Sequence, residues 1–312
     1  MRLKSILMLS RPLNLFIVAI TMFLTRYVVL VDVLGKGGKE DLALSHLHFT
    51  SLVLSALLIT AAGNVINDYF DQKVDKINKP EKVIVGKTIN RKVAILVHQG
   101  LNTLAFLLVF WVSWKTHFWQ LLIFPSVITF LLWWYSPIFK KKPLIGNLLV
   151  ALCTASVPVF AVISDIHILG HSLRNHSHVG MSLYTYAWLW VLGIAAFAFV
   201  LTMIREAVKD VQDSPGDSAE HYKTLPIIWG IPLTKRYVLV WMFVFFAMTG
   251  WCMSRTDTFH DLIWIASCLT LPMTIALIQV MRATTPESFG RVSRWIKWVM
   301  VGGLLLILAL LQ

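Results

Sequence analysis

Charged residues are scarce in this chain. Only 14% of its 312 residues are Asp, Glu, Lys or Arg, whereas 57% are hydrophobic and the mean hydropathy is +0.71. Soluble domains carry about 25% charged residues, so the composition excludes an ordinary soluble globular protein and indicates a polytopic membrane protein. At about 20 residues per membrane helix, the chain has room for roughly eight to ten of them.

Cysteine is also rare. The three cysteines, Cys153, Cys252 and Cys268, all lie in apolar runs, which argues against a disulfide framework or a zinc knuckle. Four histidines lie in 165–185 without a cysteine or a paired carboxylate: His167, His171, His176 and His178. This segment predicts a solvated polar loop rather than a metal site.

Nine apolar runs follow one another along the chain. They cover about 12–31, 49–70, 92–113, 118–137, 145–164, 186–204, 235–254, 260–281 and 294–311. We therefore predict an all-α polytopic membrane protein, a single domain over 1–312, with nine transmembrane helices bundled around a central cavity. The basic residues 1–11 carry no signal-peptide cleavage pattern, so they predict a retained anchor.

Positive charge alternates between the connections. One alternate set of connections holds 22 Lys and Arg residues and the other set holds 5, with Arg26 inside the first apolar run. Because Lys and Arg accumulate in cytoplasmic loops, the N-terminus is predicted to be cytoplasmic and the C-terminus external. The formal net charge of +12 is thus explained by membrane topology, and nucleic-acid binding is not expected.

A run of acidic residues ends the second apolar run. Residues 49–66 carry no charge, and the sequence then reads Asn67-Asp68-Tyr69-Phe70-Asp71-Gln72-Lys73-Val74-Asp75. Asn67, Asp71 and Asp75 are spaced i, i+4 and i+8, so a helix aligns them on one face. A carboxylate at the bilayer centre costs at least about 2.5 kcal/mol, and neighbouring carboxylates repel one another. This face therefore predicts a bound cation.

A second acidic run follows the sixth apolar run, on the same predicted side of the membrane. It reads Arg205-Glu206-Ala207-Val208-Lys209-Asp210-Val211-Gln212-Asp213-Ser214-Pro215-Gly216-Asp217. Asp210, Asp213 and Asp217 share one face by spacing, but Pro215 and the following glycine predict that the helix ends before Asp217. We expect the two acidic motifs to begin the cytoplasmic connections 67–91 and 205–234 and to face each other across the cavity.

Two facing carboxylate clusters suit magnesium. Mg²⁺ takes oxygen ligands and often combines one or two carboxylates with substrate phosphates. Basic residues near the motifs can contact phosphate oxygens: Lys79, Lys82, Arg205, Lys209 and Lys223. A diphosphate at the membrane edge with an apolar cavity behind it indicates an isoprenyl diphosphate. Its allylic carbon–oxygen bond ionises readily, and the cavity keeps water from the resulting cation.

At these residues the sequence resembles the UbiA superfamily of intramembrane prenyltransferases, over nearly the whole chain. The resemblance rests on the nine spans and on NDxxDxxxD at 67–75, DxxDxxxD at 210–217, Arg11-Pro12-x-Asn14, Tyr135-Ser136 with Lys140–Lys142, and Lys223-Thr224-Leu225-Pro226. In that family the two motifs bind Mg²⁺ and the prenyl diphosphate, the diphosphate leaves, and an acceptor attacks C1 of the prenyl cation.

The resemblance implies a role for particular residues of this chain. The catalytic residues would be Asp71, Asp75, Asp213 and Asp217. The metal ligands would be these four together with Asn67, Asp68 and Asp210. The diphosphate would contact Lys79, Lys82, Arg205, Lys209 and Lys223, and the substrate cavity would include Arg11, Asn14, Tyr135 and Ser136.

Two stretches, 67–86 and 205–217, are similar to the digeranylgeranylglyceryl phosphate synthase branch of that family. There the acceptor is the free hydroxyl of a geranylgeranylglyceryl phosphate, so we expect a lipid acceptor. The chain departs from the branch pattern at Lys79, where Arg is usual, at Glu81-Lys82-Val83, and at Val85, where Pro is expected. Aromatic acceptors of the 4-hydroxybenzoate, homogentisate or naphthoate type, and heme B, stay open.

A cation transporter is the alternative from another class, because the same carboxylates could form an ion path. Transporters bind their ion near the bilayer midplane, whereas these acidic residues lie at the ends of apolar runs. The sequence favours the enzyme. We expect a multi-pass protein of a bacterial or archaeal plasma or inner membrane, with its active site on the cytoplasmic side and no obligate protein partner.

Overall fold

The structure is a computed structural model that describes residues 2–34, 42–173 and 178–310. Within these ranges the chain forms helices joined by short turns, and no strand is present beyond an isolated bridge between Val85 and Ile89. Nine helices of the described chain are long and apolar enough to cross a membrane: Pro12–Leu34, His46–Phe70, Arg91–Thr116, Trp119–Phe139, Ile145–Leu169, Tyr184–Ala219, Leu225–Met253, Phe259–Arg282 and Pro286–Ala309. The predicted all-α polytopic membrane fold is confirmed, while its orientation in the membrane stays a prediction.

Local sequence explains where several of these spans begin. Pro12 is the first residue of its helix, a position at which the missing N–H of proline costs no hydrogen bond. Ser45 Oγ accepts from the His48 N–H at 3.3 Å before the second span. Asn90 Oδ1 accepts from the Lys92 N–H at 3.0 Å before the third. Such N-caps satisfy backbone groups that the first helical turn leaves without a partner.

The predicted connection 205–234 is wrong in extent. The sixth span continues to Ala219 and the seventh begins at Leu225, so only residues 220–224 separate the two helices. Within the seventh helix Gly230 has φ 71° and ψ 164°, which bends the chain just before Pro232. Glycine adopts this backbone conformation without a steric penalty. Gly230 and Pro232 therefore mark a bend inside the seventh span and not a loop before it.

The predicted polar loop 165–185 is also mostly helical. The fifth span belongs to a helix that runs Ile145–Leu173, and the next helix begins at His178. The ring of His167 stacks on that of Phe118 with centroids 3.9 Å apart. The side chains of His171, His176 and His178 lie outside the described residues.

The chain divides into two compact units. The first comprises Met1–Gln72, Glu81–Pro137 and Ser156–Ala195, and the second comprises Lys73–Pro80, Ile138–Ala155 and Ala196–Gln312. Each has its own apolar core: Met22, Phe49, Leu52, Val109 and Phe160 are fully buried in the first, and Ile204, Val208, Phe245, Met273 and Phe289 in the second. The prediction of one domain over 1–312 stays a prediction.

The first unit buries an ion pair within its core. Arg26 Nε lies 2.7 Å and Nη2 3.1 Å from the two oxygens of Asp165, and both side chains are 0% exposed. The Leu44 N–H donates to the same carboxylate at 2.8 Å, and the guanidinium lies over the Phe49 ring. A buried charge is tolerated only when it is paired and hydrogen-bonded in this way.

Candidate active site

The first acidic motif lies at the end of the second span. Asn67 and Asp68 occupy the last turn of the helix His46–Phe70, and Asp71 is its C-cap residue, with its N–H donating to the Asn67 carbonyl at 2.9 Å. Asp71 is 2% exposed. Three of the predicted metal ligands thus lie within five residues at one helix end. The fourth, Asp75, follows in the short helix Gln72–Asn78, and it belongs to the second unit, which begins at Lys73.

Two residues predicted to line the substrate cavity contact this motif directly. Ser136 donates from Oγ to Asn67 Oδ1 at 2.7 Å, and Arg11 Nη2 lies 2.6 Å from Asp68 Oδ1. Ser136 is buried in the π-helical turn Tyr135–Phe139, and Arg11 has φ 54° just before the first span. Their contacts orient motif side chains, a function that the sequence did not assign to them.

The other two predicted cavity residues occupy neighbouring positions. Asn14 is half-buried in the first turn of the first span, and its N–H donates to the Arg11 carbonyl at 2.9 Å. Tyr135 is half-buried as the first residue of the same π-helical turn that holds Ser136. Their role in a substrate cavity stays a prediction.

The second acidic motif lies on a continuous helix, in the second unit. The prediction that the helix ends before Asp217 is wrong, because helix His178–Ala219 passes through Pro215. One face of this helix is fully buried in the core of the unit: Ile204, Ala207, Val208 and Val211. This apolar face fixes the rotation of the helix. Asp213 and Asp217 lie one turn apart on the opposite side of the same helix, 9% and 1% exposed.

The segment Lys73–Pro80 belongs to the same unit as the second motif. Lys79 donates from Nζ to Asp213 Oδ1 at 2.6 Å, and Lys73 Nζ lies 3.8 Å from Glu220 Oε2. The half-buried Asp75 lies one turn before Lys79, whose N–H donates to the Asp75 carbonyl at 2.8 Å. The end of the first motif and the whole of the second are thus parts of one compact unit.

Two further residues hold carboxylates of the second motif. Asn147 donates from Nδ2 to Asp210 Oδ2 at 3.0 Å, and Thr224 donates from Oγ1 to Asp217 Oδ2 at 3.2 Å. Asn147 was not recognised from the sequence, because nothing in its neighbourhood in 145–164 distinguishes it from an ordinary polar residue in a span. Thr224 belongs to the Lys223-Thr224-Leu225-Pro226 motif, and this motif is the sequence feature that indicated a role for it.

The predicted phosphate-binding residues differ in their surroundings. Arg205 Nη1 lies 2.5 Å from Glu206 Oε1, and Lys209 Nζ lies 3.6 Å from Glu206 Oε2. Glu206 is 4% exposed and lies one turn before Asp210. The sequence analysis did not predict it as a site residue, although its spacing of four residues from Asp210 places it on the same helix face. Lys223 is exposed. The side chain of Lys82 lies outside the described residues.

The oxygen donors of each motif are of the type that magnesium binds together with substrate phosphates. Among the residues that the structure describes, no three His, Cys, Asp or Glu side chains are grouped closely enough to hold a metal ion alone. Mg²⁺ commonly needs only one or two carboxylates, with waters and substrate phosphates as its other ligands. Carboxylate and amide oxygens oriented by neighbouring donors, as at Asn67, Asp210 and Asp217, meet that requirement.

Known proteins resemble this chain in sequence. The sequence model of the UbiA prenyltransferase family matches residues 28–301. The chain belongs to the UbiA prenyltransferase family, and it is therefore a multi-pass membrane enzyme that transfers a prenyl group. Membership of this family decides in favour of the enzyme over the cation transporter.

Its relatives include several proteins named digeranylgeranylglyceryl phosphate synthase. The one from Methanothermobacter thermautotrophicus is 32% identical over 301 residues, which is 92% of this chain and 89% of that protein. The one from Thermococcus sibiricus is 30% identical over 240 residues, 76% of this chain and 72% of that protein.

Solved structures share the fold. A structure from work on digeranylgeranylglyceryl phosphate synthase in membranes covers 98% of both chains with a TM-score of 0.64 and 22% identity. A UbiA homologue from Archaeoglobus fulgidus, bound to GPP and Mg²⁺, covers 97% of this chain and 99% of its own, with a TM-score of 0.53 and 14% identity. The family and the fold predicted from the sequence are thus confirmed.

Proposed function

We propose that the protein transfers an isoprenyl group from a prenyl diphosphate to the hydroxyl of a (geranylgeranyl)glyceryl phosphate, in a magnesium-dependent reaction that releases diphosphate. The observation that carries the proposal is that neighbouring side chains donate hydrogen bonds to side-chain oxygens of both acidic motifs. Ser136 donates to Asn67, and Lys79 donates to Asp213. The acceptor is supported by the relatives, whose names specify a digeranylgeranylglyceryl phosphate product.

Magnesium would be held by oxygen atoms of the two motifs. The proposed ligands are Asn67, Asp68, Asp71, Asp75, Asp210, Asp213 and Asp217. When bound, Mg²⁺ offsets the negative charge of the carboxylates and of the departing diphosphate. The complex of the A. fulgidus homologue with GPP and Mg²⁺ supports this choice of metal and of donor substrate.

The reaction breaks the bond between C1 of the prenyl group and the diphosphate oxygen, and it forms a bond between C1 and the acceptor oxygen. The diphosphate leaves with the electron pair of the broken bond, and the acceptor hydroxyl loses its proton. Lys79, Arg205 and Lys209 would supply positive charge to phosphate oxygens, as would Lys82 and Lys223. Buried Glu206 fixes two of these cations, since Arg205 and Lys209 both contact its carboxylate.

The active site is proposed to open to the cytoplasm. The support is the distribution of charge, with 22 Lys and Arg residues in the connections that include both acidic motifs and 5 in the others. Positive charge is retained on the cytoplasmic side of a membrane protein. A cytoplasmic site would receive water-soluble diphosphate head groups while the prenyl chains stay among the apolar spans.

The decisive experiment is a transfer assay on purified protein in detergent. Radiolabelled geranylgeranyl diphosphate is offered with geranylgeranylglyceryl phosphate, 4-hydroxybenzoate, homogentisate or dihydroxynaphthoate, with Mg²⁺ or with a chelator. We expect product with the glycerol phosphate acceptor only, and only when Mg²⁺ is present. Product with an aromatic acceptor alone would overturn the lipid acceptor and keep the prenyl transfer.

Matched variants test the site itself. Asp71→Asn and Asp213→Asn each remove one motif charge at constant size and should abolish transfer. Asp257→Asn removes an exposed carboxylate outside the motifs and should leave transfer unchanged. Wild-type activity in either motif variant would contradict the proposed metal site.

A further inference from the structure

Pro215 disturbs the hydrogen bonding of the helix that carries the second acidic motif. Proline has no N–H, so the carbonyl of Val211, four residues earlier, loses its helical partner. Ser214 compensates for this loss, because its Oγ donates to the Val211 carbonyl at 2.9 Å. The helix continues to Ala219. Asp213 and Asp217, one on each side of Pro215, therefore depend on side chains that stabilise this turn.

Asn78 contributes two more hydrogen bonds to the same turn. Its Nδ2 donates to the backbone carbonyl of Asp213 at 2.9 Å, and its Oδ1 accepts from the Gly216 N–H at 2.9 Å. The donor and the acceptor of the Asn78 side-chain amide thus both bond backbone groups, one on each side of Pro215. An aspartate of the same shape lacks the donor, and a leucine lacks both groups.

Gly216 allows the segment that carries Asn78 to approach the helix closely. A Cβ atom at position 216 would lie 2.6 Å from Asn78 Nδ2 and 2.8 Å from the Val74 carbonyl oxygen. Both distances are shorter than a carbon atom tolerates, so a larger residue would force the two segments apart. The next residue along, Lys79, reaches the Asp213 carboxylate from this packed position.

We infer that Asn78 is a positioning residue that sets the relative orientation of Asp213 and Asp217. This inference rests on the proposed magnesium-dependent function, because the two carboxylates are proposed metal ligands. Asn78 acts through the backbone that carries them and has no role on the reacting atoms. Residues that orient metal ligands typically change metal affinity or activity by about 10- to 100-fold when they are removed.

The first test needs neither metal nor substrate. Asn78→Ala is compared with Asn90→Ala, which removes an asparagine that bonds the Lys92 N–H at the start of the third span. Amide hydrogen exchange over 211–219 should accelerate in Asn78→Ala and match the wild type in Asn90→Ala. If exchange in this segment is the same in all three proteins, the inference is overturned. Asn78→Ser, too short to bond both backbone groups, repeats the comparison if Asn78→Ala does not fold.

The second test is the dependence of prenyl transfer on Mg²⁺ concentration. In Asn78→Ala the Mg²⁺ concentration for half-maximal rate should rise by about 10- to 100-fold, with much of the rate recovered at saturating Mg²⁺. Asn90→Ala should behave as the wild type. An unchanged Mg²⁺ requirement in Asn78→Ala would overturn the inference about Asn78 and leave the proposed function standing. A wild-type rate that does not depend on Mg²⁺ would instead overturn the proposed magnesium-dependent function.

Discussion

Lys79 donates a hydrogen bond from Nζ to Oδ1 of Asp213 at 2.6 Å. The two residues come from different acidic regions of the sequence but belong to the same compact unit. Their side chains are 28% and 12% exposed, so water screens the pair only in part. Such a pair is more sensitive to loss of one partner than an exposed ion pair, which contributes at most about 1 kcal/mol.

Replacing Lys79 should separate the effect of its charge from that of its size. Lys79→Met removes the ammonium group, and we expect the rate of prenyl transfer to fall by about 100- to 1,000-fold, as when one charge-stabilising donor is lost from a catalytic site. Lys79→Arg keeps the charge and should stay near the wild-type rate. Initial rates at saturating Mg²⁺ measure both, with the exposed Lys76→Met as the control. A fully active Lys79→Met would exclude Lys79 from the diphosphate site.

Ser136→Ala should loosen Asn67 without removing it. The lost hydrogen bond has a length of 2.7 Å, and a bond of this kind contributes about 0.5–1.5 kcal/mol, equivalent to about 2- to 12-fold in an equilibrium constant. We expect the Mg²⁺ concentration for half-maximal rate to rise by that factor. Ser126→Ala is the matched control, because Ser126 Oγ donates to the carbonyl of Leu122 within its own span. Equal Mg²⁺ requirements in the two variants would contradict this role of Ser136.

The buried pair of Arg26 and Asp165 should matter for stability rather than for chemistry. Arg26→Leu leaves an unpaired carboxylate in the core, so the free energy of unfolding in detergent should fall by about 3–5 kcal/mol. Adding Asp165→Asn removes that charge but keeps an oxygen for the Leu44 N–H, and it should restore most of the loss. Arg291→Leu, at an exposed position, should have little effect. Stability of Arg26→Leu equal to that of the wild type would show that the pair is dispensable.

Membrane orientation can be tested with single cysteines. The side chain of Lys73, within the first motif, is 80% exposed, and Arg255 is exposed in the connection after the seventh span. With the three natural cysteines replaced by alanine, an impermeant maleimide should label Arg255→Cys on intact cells and Lys73→Cys only after lysis. The opposite pattern would reverse the predicted topology.

The sequence predicted the features that depend on local composition and spacing. Long uncharged runs predicted the nine spans, and the i, i+4 and i, i+3 spacings indicated Asp71 and Asp213 as candidate site residues. Hydrophobic periodicity and charge spacing act within one element, so they can be recognised in a single sequence. The roles of these carboxylates in binding metal stay predictions.

Features that depend on distant partners were not predictable. Pro215 was expected to end its helix because nearby residues gave no reason for the helix to continue. The amide of Asn78, which bonds Gly216, lies 138 residues earlier in the chain. The link between Asn147 and Asp210 spans 63 residues. A local rule for proline or for a polar residue in a span cannot include such contacts.

The ion pair in the first unit has a consequence for biogenesis. Arg26 is synthesised 139 residues before Asp165, so the first span leaves the ribosome long before its charge can be neutralised by its partner. A lone arginine at the centre of a membrane helix costs about 2.5–3.5 kcal/mol on insertion. Until Asp165 in the fifth span is synthesised, the charge of Arg26 therefore lacks that carboxylate partner, and the strongly apolar remainder of the first span has to offset its cost.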